Sequence, residues 1–257
     1  MTIRLHRWGA GPPVIFLHGW TMTGAIWAPV AQRLDAASLA PDLPGHGGTR
    51  GPAPSVAGGV ALLADLIAQE GIAGATLVGW SLGALIGWRY LAEGGTGVAR
   101  MMSLDMSPRP LPAPGWNHAM RGQSAEKAAR GGARFRADWA GAARAIAQGM
   151  FADPDGCAAL SAAEAERRIR AQDPVAMAAF WDSLTREDLR AAIPELTVPV
   201  LAVHGAQSRV YPPTTAGWIA AAARHGQARV LQGCGHAPHL EDPAAVAALL
   251  TAFIADT

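Results

Sequence analysis

Short apolar runs alternate with helical patterns along this chain, and that alternation limits its folds more than any other feature. "VIFLHG" (14–19), "ASLAPDLPGHG" (37–47), "ATLVG" (75–79) and "VARMMSLDMSP" (98–108) each hold a strand-like run. Helical patterns stand between them: "AIWAPVAQRLD" (25–35), "VAGGVALLADLIAQEG" (56–71) and "SLGALIGWRYLAEGG" (81–95). Strands that are apolar throughout, without polar alternation, belong to a parallel sheet covered on both faces. The order predicts an α/β fold.

The alternation breaks at Pro108. From Arg109 to Pro194 only helical segments are predicted, over 126–137, 140–151, 159–171 and 174–185. It resumes with "VPVLAVHG" (198–205), a helix over 214–226, "ARVLQG" (228–233) and a final helix over 243–257. Residues 1–108 and 195–257 therefore form one core, with 109–194 inserted as an all-helical cap. The expected place of the cap is over the carboxyl edge of the sheet, where ligand sites of such sheets form. With half of 257 residues hydrophobic and 16% charged, the chain has enough apolar surface for one large domain.

No apolar run approaches the roughly 18 residues of a membrane span, and Met1–Gly11 holds no secretory core. A soluble cytoplasmic protein is expected. A formal net charge of +1 gives no general nucleic-acid footprint. Cys157 and Cys234 lie far apart and outside any metal-ligand spacing, so neither a disulfide framework nor a zinc site is expected.

Gly79-Trp80-Ser81-Leu82-Gly83 places a serine between two glycines where a strand gives way to a helix. In a G-x-S-x-G turn the serine is forced into a strained conformation, and the glycines let neighbouring backbone approach closely. The helix N–H groups that follow face a developing oxyanion. Outside that role Ser81 is a helix-capping serine in a turn. A nucleophilic serine needs a base, and His236 in "GCGHAPHLEDP" stands on a glycine-flanked loop after the last strand. His239 is its nearest rival; His18, His46 and His204 suit structural or site-lining roles.

"FLHGWTMTGAIW", "PDLPGHG", "LVGWSLGA", "VPVLAVHG" and "GCGHAPHLEDP" together resemble the α/β-hydrolase superfamily, in order and spacing, across nearly all of the chain outside the cap. Within it, the Trp-Ser-Leu-Gly elbow and His-Gly-Trp loop are most similar to the biotin-pathway esterases that demethylate pimeloyl-acyl-carrier-protein methyl ester. The resemblance implies serine esterase chemistry without metal or organic cofactor, and an oxyanion hole made by the backbone N–H groups of Trp20 and Leu82. It also implies acyl carrier protein as a partner.

The acid departs from the commonest family pattern. Relatives carry Asp four residues after the His of the "HG" that ends the penultimate strand, and this chain has Ser208 there. Serine cannot stabilise an imidazolium, so replacing Ser208 is expected to matter little. Asp105, at the end of the strand after the nucleophile helix, is the expected acid; otherwise it caps the turn before Pro108. Asp42 suits a structural role, and Glu241 and Asp242 follow His236 too closely.

The substrate is a small-molecule acyl ester, with Trp80, Trp116, Trp139, Phe180 and Trp181 as candidate binding residues. Arg121, Lys127, Arg130, Arg134, Arg136 and Arg144 face only Glu126 and Asp138 in that stretch, and Arg167, Arg168 and Arg170 add a basic turn. This surface is either a solvated face or a dock for an acidic partner such as acyl carrier protein. Two alternatives stay open: a generalist carboxylesterase or lactonase for small esters, and a non-catalytic ligand-binding protein on a hydrolase scaffold.

Overall fold

A computed structural model describes residues 1–256. Thr257, where the core segment and the last helix were expected to end, lies outside the described residues. The first half runs β1 (Leu5–Trp8), β2 (Pro13–Leu17), a 3-10 turn leading into α1 (Ala28–Ala31), β3 (Ala37–Pro41), α2 (Val56–Gln69), β4 (Ala75–Trp80), α3 (Leu82–Ala92) and β5 (Val98–Leu104). Then come α4 (Ala125–Ala137), α5 (Trp139–Met150), the two-residue strands β6 (Gly156–Cys157) and β7 (Leu160–Ser161), α6 (Ala162–Arg170) and α7 (Pro174–Leu184). The chain closes with β8 (Val200–Gly205), α8 (Thr214–Ala222), β9 (Gly226–Leu231), α9 (Pro238–Glu241) and α10 (Pro243–Ala255).

Seven strands make one sheet in the order β1-β3-β2-β4-β5-β8-β9. Every neighbouring pair is parallel except β1 with β3. Successive side chains leave opposite faces of a strand, so each strand feeds two cores. Val14, Phe16, Val78, Met102 and Val203 face one, with Trp27 and α10. Ile15, Leu17, Leu77, Met101 and Val200 face the other, with α2, α3 and α8. Every residue of β4 and β8 is buried, as fully covered parallel strands require.

Helix starts follow their side chains. Ser55, Ser124, Asp138, Ser161, Asp173 and Asp242 each accept a backbone N–H at the start of α2, α4, α5, α6, α7 and α10. The segment between β5 and β8 departs from the all-helical expectation at an isolated antiparallel bridge between Ala113 and Trp116 and at β6 and β7, which pair as a short antiparallel ladder. Gly156 there has φ 104°, a conformation that lets the chain reverse between α5 and α6 without another helical turn. The helix expected over 25–35 is only a 3-10 turn and the single turn α1, and β1 was not expected at all.

Register decides what meets at the carboxyl edge. Leu17 pairs with Gly79, Trp80 with Leu104, and Leu104 with Val203. The Ser81 N–H donates to the Leu104 carbonyl at 2.9 Å and the Asp105 N–H to the Val203 carbonyl at 2.8 Å. The segments leaving β2, β4, β5 and β8 thus emerge side by side. From β2 the chain turns to β3 on one side and then crosses to β4 on the other, so the β2/β4 gap is a topological switch point.

The turn from β4 to α3 depends on two glycines. A Cβ on Gly79 would stand 2.5 Å from the Ala84 nitrogen, and one on Gly83 would stand 2.2 Å from the Leu17 carbonyl oxygen. Both obstacles are backbone and cannot rotate away. Gly83→Ala should therefore cost about 2 kcal/mol or more, lowering the thermal midpoint by roughly 4–8 °C; an unchanged midpoint in differential scanning calorimetry would refute the packing argument.

Candidate active site

Ser81 occupies the N-cap position of α3 but makes no side-chain capping bond. It differs in this from the serine and aspartate N-caps of the other helices, which removes the simple capping role. Its backbone is at φ 51°, a left-handed conformation that costs a non-glycine residue on the order of 1–3 kcal/mol. Among the described residues only Thr21 (φ 74°) and Asp105 (φ 46°) share that feature without being glycine. All three follow neighbouring strands of the sheet, β2, β4 and β5.

His236 links two of them. Its Nε2 lies 3.1 Å from Ser81 Oγ and its Nδ1 2.7 Å from Asp105 Oδ1. Because a carboxylate can only accept, Nδ1 carries the proton and Nε2 presents its lone pair to the hydroxyl. The loop of His236 is tied down twice. The Trp80 Nε1–H donates to the His236 carbonyl at 2.6 Å, and Glu241 accepts the N–H groups of Gly235 (2.8 Å) and Ala152 (2.6 Å).

Asp105 is fully buried. Oδ1 also accepts the Ser208 hydroxyl at 2.7 Å, and Oδ2 accepts the Gly205 N–H at 3.0 Å. Burial pushes this carboxyl up, but the imidazoles of His204 and His236 and the Ser208 hydroxyl outweigh it, holding the group below the usual carboxylate range. Ser208 is thus not the idle residue that the sequence suggests. Its hydroxyl donates directly to the carboxylate that His236 also meets.

The rival histidines His239 and His204 are buried, and neither makes a hydrogen bond through its ring nitrogens among the described residues. His239 is fully buried between Trp27 and Trp80, 4.5 Å from each ring centre, and burial pulls it down to about 3. His204 is also buried and lowered by burial; its Nδ1 is 3.7 Å from Asp105 Oδ2, and it does not contact Ser81. Asp42 accepts the N–H groups of Gly24 and Gly48 and pairs with His6, a structural role.

Trp20 follows β2 and Leu82 opens α3. Neither N–H donates to a backbone carbonyl in the described turns and loops, and a first-turn N–H has no acceptor within its own helix. The Trp20 side chain is held by the insert: Nε1–H donates to the Met177 carbonyl at 3.0 Å, and the ring packs on Phe135 and Trp181, both at 5.1 Å.

Above Ser81 and His236 lies a cavity of about 710 Å³, walled by Trp20, Trp80 and Trp181 with residues of α4 and α5. Of the expected binding residues, Trp80 and Trp181 line it. Trp116 and Phe180 do not. Trp116 is buried against His118 and Trp218, with its Nε1–H on the Arg109 carbonyl, and Phe180 is fully buried beside His46. Trp139 lies behind Trp20 and Phe135 and donates to the Ile169 carbonyl. Both Trp116 and Phe180 pack inward because their helices or turns bury an apolar face, which pattern alone could not tell from a pocket wall. Phe135, Met106 and Tyr211 line the cavity and were missed. Met106 and Tyr211 follow Asp105 and Ser208 closely in sequence, and that adjacency was the available signal.

Arg121, Lys127, Arg130, Arg134 and Arg209 line the exposed side of the cavity, with no carboxylate among its lining residues. The basic turn of α6 contributes little free charge. Arg167 and Arg168 pair with Glu164, while Arg170 and Arg144 pair with Glu166.

The family model described as "Alpha/beta hydrolase family" matches residues 14–249. The chain belongs to the alpha/beta hydrolase family. It is 30% identical over 260 residues to the pimeloyl-[acyl-carrier protein] methyl ester esterase of Xanthomonas oryzae pv. oryzae, covering 96% of each chain. To the protein of the same name from Xanthomonas campestris pv. campestris it is 32% identical over 270 residues, again covering 96% of each. The structure of an esterase from Exiguobacterium antarcticum superimposes with a TM-score of 0.89 at 19% identity, over 99% of this chain and 96% of that one. Family and relatives together identify this alpha/beta hydrolase as a carboxylic ester hydrolase. No helix among the described residues is long and apolar enough to cross a membrane.

A carboxyl whose pKa is lower folded than unfolded stabilises the fold above the unfolded value, and that contribution is lost as pH falls through the folded one. For Asp105 the stability gap between wild type and Asp105→Asn should be widest near neutrality and narrow below about pH 4. Urea unfolding at a series of pH values measures it, and a gap constant down to pH 3 would contradict the assignment.

Proposed function

We propose that this hydrolase cleaves carboxylic esters through an acyl-enzyme on Ser81, and that its substrate is pimeloyl-acyl-carrier-protein methyl ester. The observation that carries the chemistry is the continuous hydrogen-bonded path from Ser81 Oγ through His236 to the buried Asp105 carboxylate, at the floor of a cavity.

In this reading Ser81 Oγ attacks the ester carbonyl while His236 Nε2 takes its proton. Charge develops on the carbonyl oxygen between the N–H groups of Trp20 and Leu82, and each such donor contributes about 3 kcal/mol to the transition state. The imidazolium that forms is stabilised through Nδ1–H by Asp105. As the tetrahedral intermediate collapses, His236 returns the proton to the leaving alkoxide, and the alcohol departs as methanol. The same imidazole then deprotonates a water that attacks the acyl-enzyme. Addition and collapse release the carboxylic acid and restore Ser81.

Two lines support the carrier-bound substrate. Both curated relatives bear that name over nearly their whole length. On the exposed side of the cavity Arg130 pairs with Glu126, while Arg121 and Arg134 have no ion-pair partner among the described residues. Such a rim attracts an acidic carrier whose tethered acyl chain enters the cavity, and it speeds encounter electrostatically. We place residues 109–194 as the cap that provides this rim, and Trp20, Trp80 and Trp181 as the acyl-chain contacts. A cytoplasmic site of action goes with that partner and with the free thiols of Cys157 and Cys234.

Fluorophosphonate labelling with mass-spectrometric location of the adduct tests the nucleophile. Ser81→Ala should abolish labelling and ester turnover with a nearly unchanged thermal midpoint, and labelling of any other serine would refute the reading. For the substrate, kcat/KM on the carrier-bound methyl ester should exceed that on free methyl pimelate by at least about a hundredfold and fall steeply with added salt. The double variant Arg121→Glu, Arg134→Glu should raise KM for the carrier-bound ester alone. Equal efficiency on both esters would favour a generalist esterase for small esters.

A further inference from the structure

Ser208 occupies the turn after β8 and is 5% exposed. Its hydroxyl oxygen accepts two backbone N–H groups, from Val210 at 3.3 Å and from Tyr211 at 3.2 Å. A hydroxyl has two acceptor sites and one proton. With both N–H groups directed at the oxygen, the proton has one remaining acceptor, Asp105 Oδ1, at 2.7 Å. That is the same oxygen that accepts His236 Nδ1–H.

We infer that Ser208 is a positioning residue that fixes the rotation of the Asp105 carboxylate, holding the oxygen it shares with His236 in line with His236 Nδ1–H. The inference rests on the reading of Ser81, His236 and Asp105 as the catalytic groups. The physical need for it comes from the other side of the carboxylate. Oδ2 is held by one neutral donor, the Gly205 N–H, and a second imidazole, His204, stands 3.7 Å from it. Two buried imidazoles therefore flank one carboxylate, and only one of them reaches Ser81. The Ser208 hydroxyl holds the shared oxygen at the rotation that meets His236 Nδ1–H, and not at one turned towards His204. The backbone at Asp105 is already constrained at φ 46°, so this contact sets the side-chain rotation and not the path of the chain. Position 208, in the turn after β8, thus serves as the donor that orients an acid borne by the neighbouring strand β5.

A cycle of four proteins tests this on p-nitrophenyl butyrate: wild type, Ser208→Ala, Asp105→Asn and the double variant. Losing one hydrogen bond to a charged group should lower kcat by about tenfold or more in Ser208→Ala, with KM changed less than about twofold. In the Asp105→Asn background the same replacement should cost less than about twofold, because no carboxylate remains to orient. A residue that only holds its turn in place would give the full loss in both backgrounds, and that outcome overturns the inference, as does wild-type kcat in Ser208→Ala. Should Asp105→Asn itself keep wild-type turnover, the reading of the triad falls, and the inference with it. A second readout does not depend on turnover. The low-field proton resonance of His236 Nδ1–H should move in Ser208→Ala and disappear in Asp105→Asn; a resonance unmoved by Ser208→Ala in a folded protein counts against the orienting role.

Discussion

A buried carboxylate is the most costly group in this protein to place, and the ends of three strands are arranged around it. An unpaired charge in an apolar interior loses far more solvation than any single contact returns. Asp105 has no cation of fixed charge beside it. It is instead surrounded by donors: a backbone N–H from the end of β8, a hydroxyl from the following turn, and the imidazole of His236. None of these donors could reach the carboxylate unless β5 and β8 were paired in the register that sets Leu104 against Val203. The electrostatics of the site are therefore a consequence of sheet register.

The same edge concentrates backbone strain. Thr21, Ser81 and Asp105 hold left-handed conformations on segments leaving three adjacent strands. Strain of this kind persists only where the surroundings over-determine it. Here the surroundings are the buried β2, β4 and β5, with their ladder bonds continued by Ser81 N–H to Leu104 and Asp105 N–H to Val203. Short, sharp turns raise the side chains of Ser81 and Asp105 above the sheet instead of letting them run into helix or loop. The stability lost at these turns is offset by core packing elsewhere, on both faces of the sheet.

Much of this was legible in the sequence because it is local. The apolar strands, the glycines about Ser81, the capping serines and aspartates, and the glycine-flanked His236 each leave a mark within a few residues of themselves. Asp105 stands out only against the family pattern that the chain resembles, which expects an acid at position 208 where this sequence has Ser208. What failed was non-local. β1 is an edge strand whose "LHRW" shows no burial pattern, and its pairing with β3 depends on a chain segment more than thirty residues away. Trp116, Trp139 and Phe180 pack away from the cavity, and an aromatic residue buried in packing and one lining a cavity look alike in sequence. Ser208 was dismissed for carrying no charge. Its contribution is a directed proton, visible only once Val210, Tyr211 and Asp105 are seen to share one oxygen.

The loop after β2 shows how far such directed protons reach. The Leu43 N–H donates to His18 Nε2 at 2.8 Å, so Nδ1 must carry the ring proton and donate it to the Gly19 carbonyl at 2.9 Å. The Thr21 N–H donates to His46 Nε2 at 3.2 Å, which leaves the His46 Nδ1–H for the Pro44 carbonyl at 3.0 Å. Both rings are therefore neutral. Burial acts in the same direction, lowering His18 to about 4 and His46 to about 3. Two neutral imidazoles bind the carbonyl of Gly19 and the amide of Thr21, on either side of Trp20. Between those two groups the Trp20 N–H donates to no backbone carbonyl in the described turns and loops, while the Trp20 indole is held by the insert through Met177. The "HG" that follows β2 and the "HG" in the loop after β3 act through this network: they hold the backbone on either side of Trp20 in place.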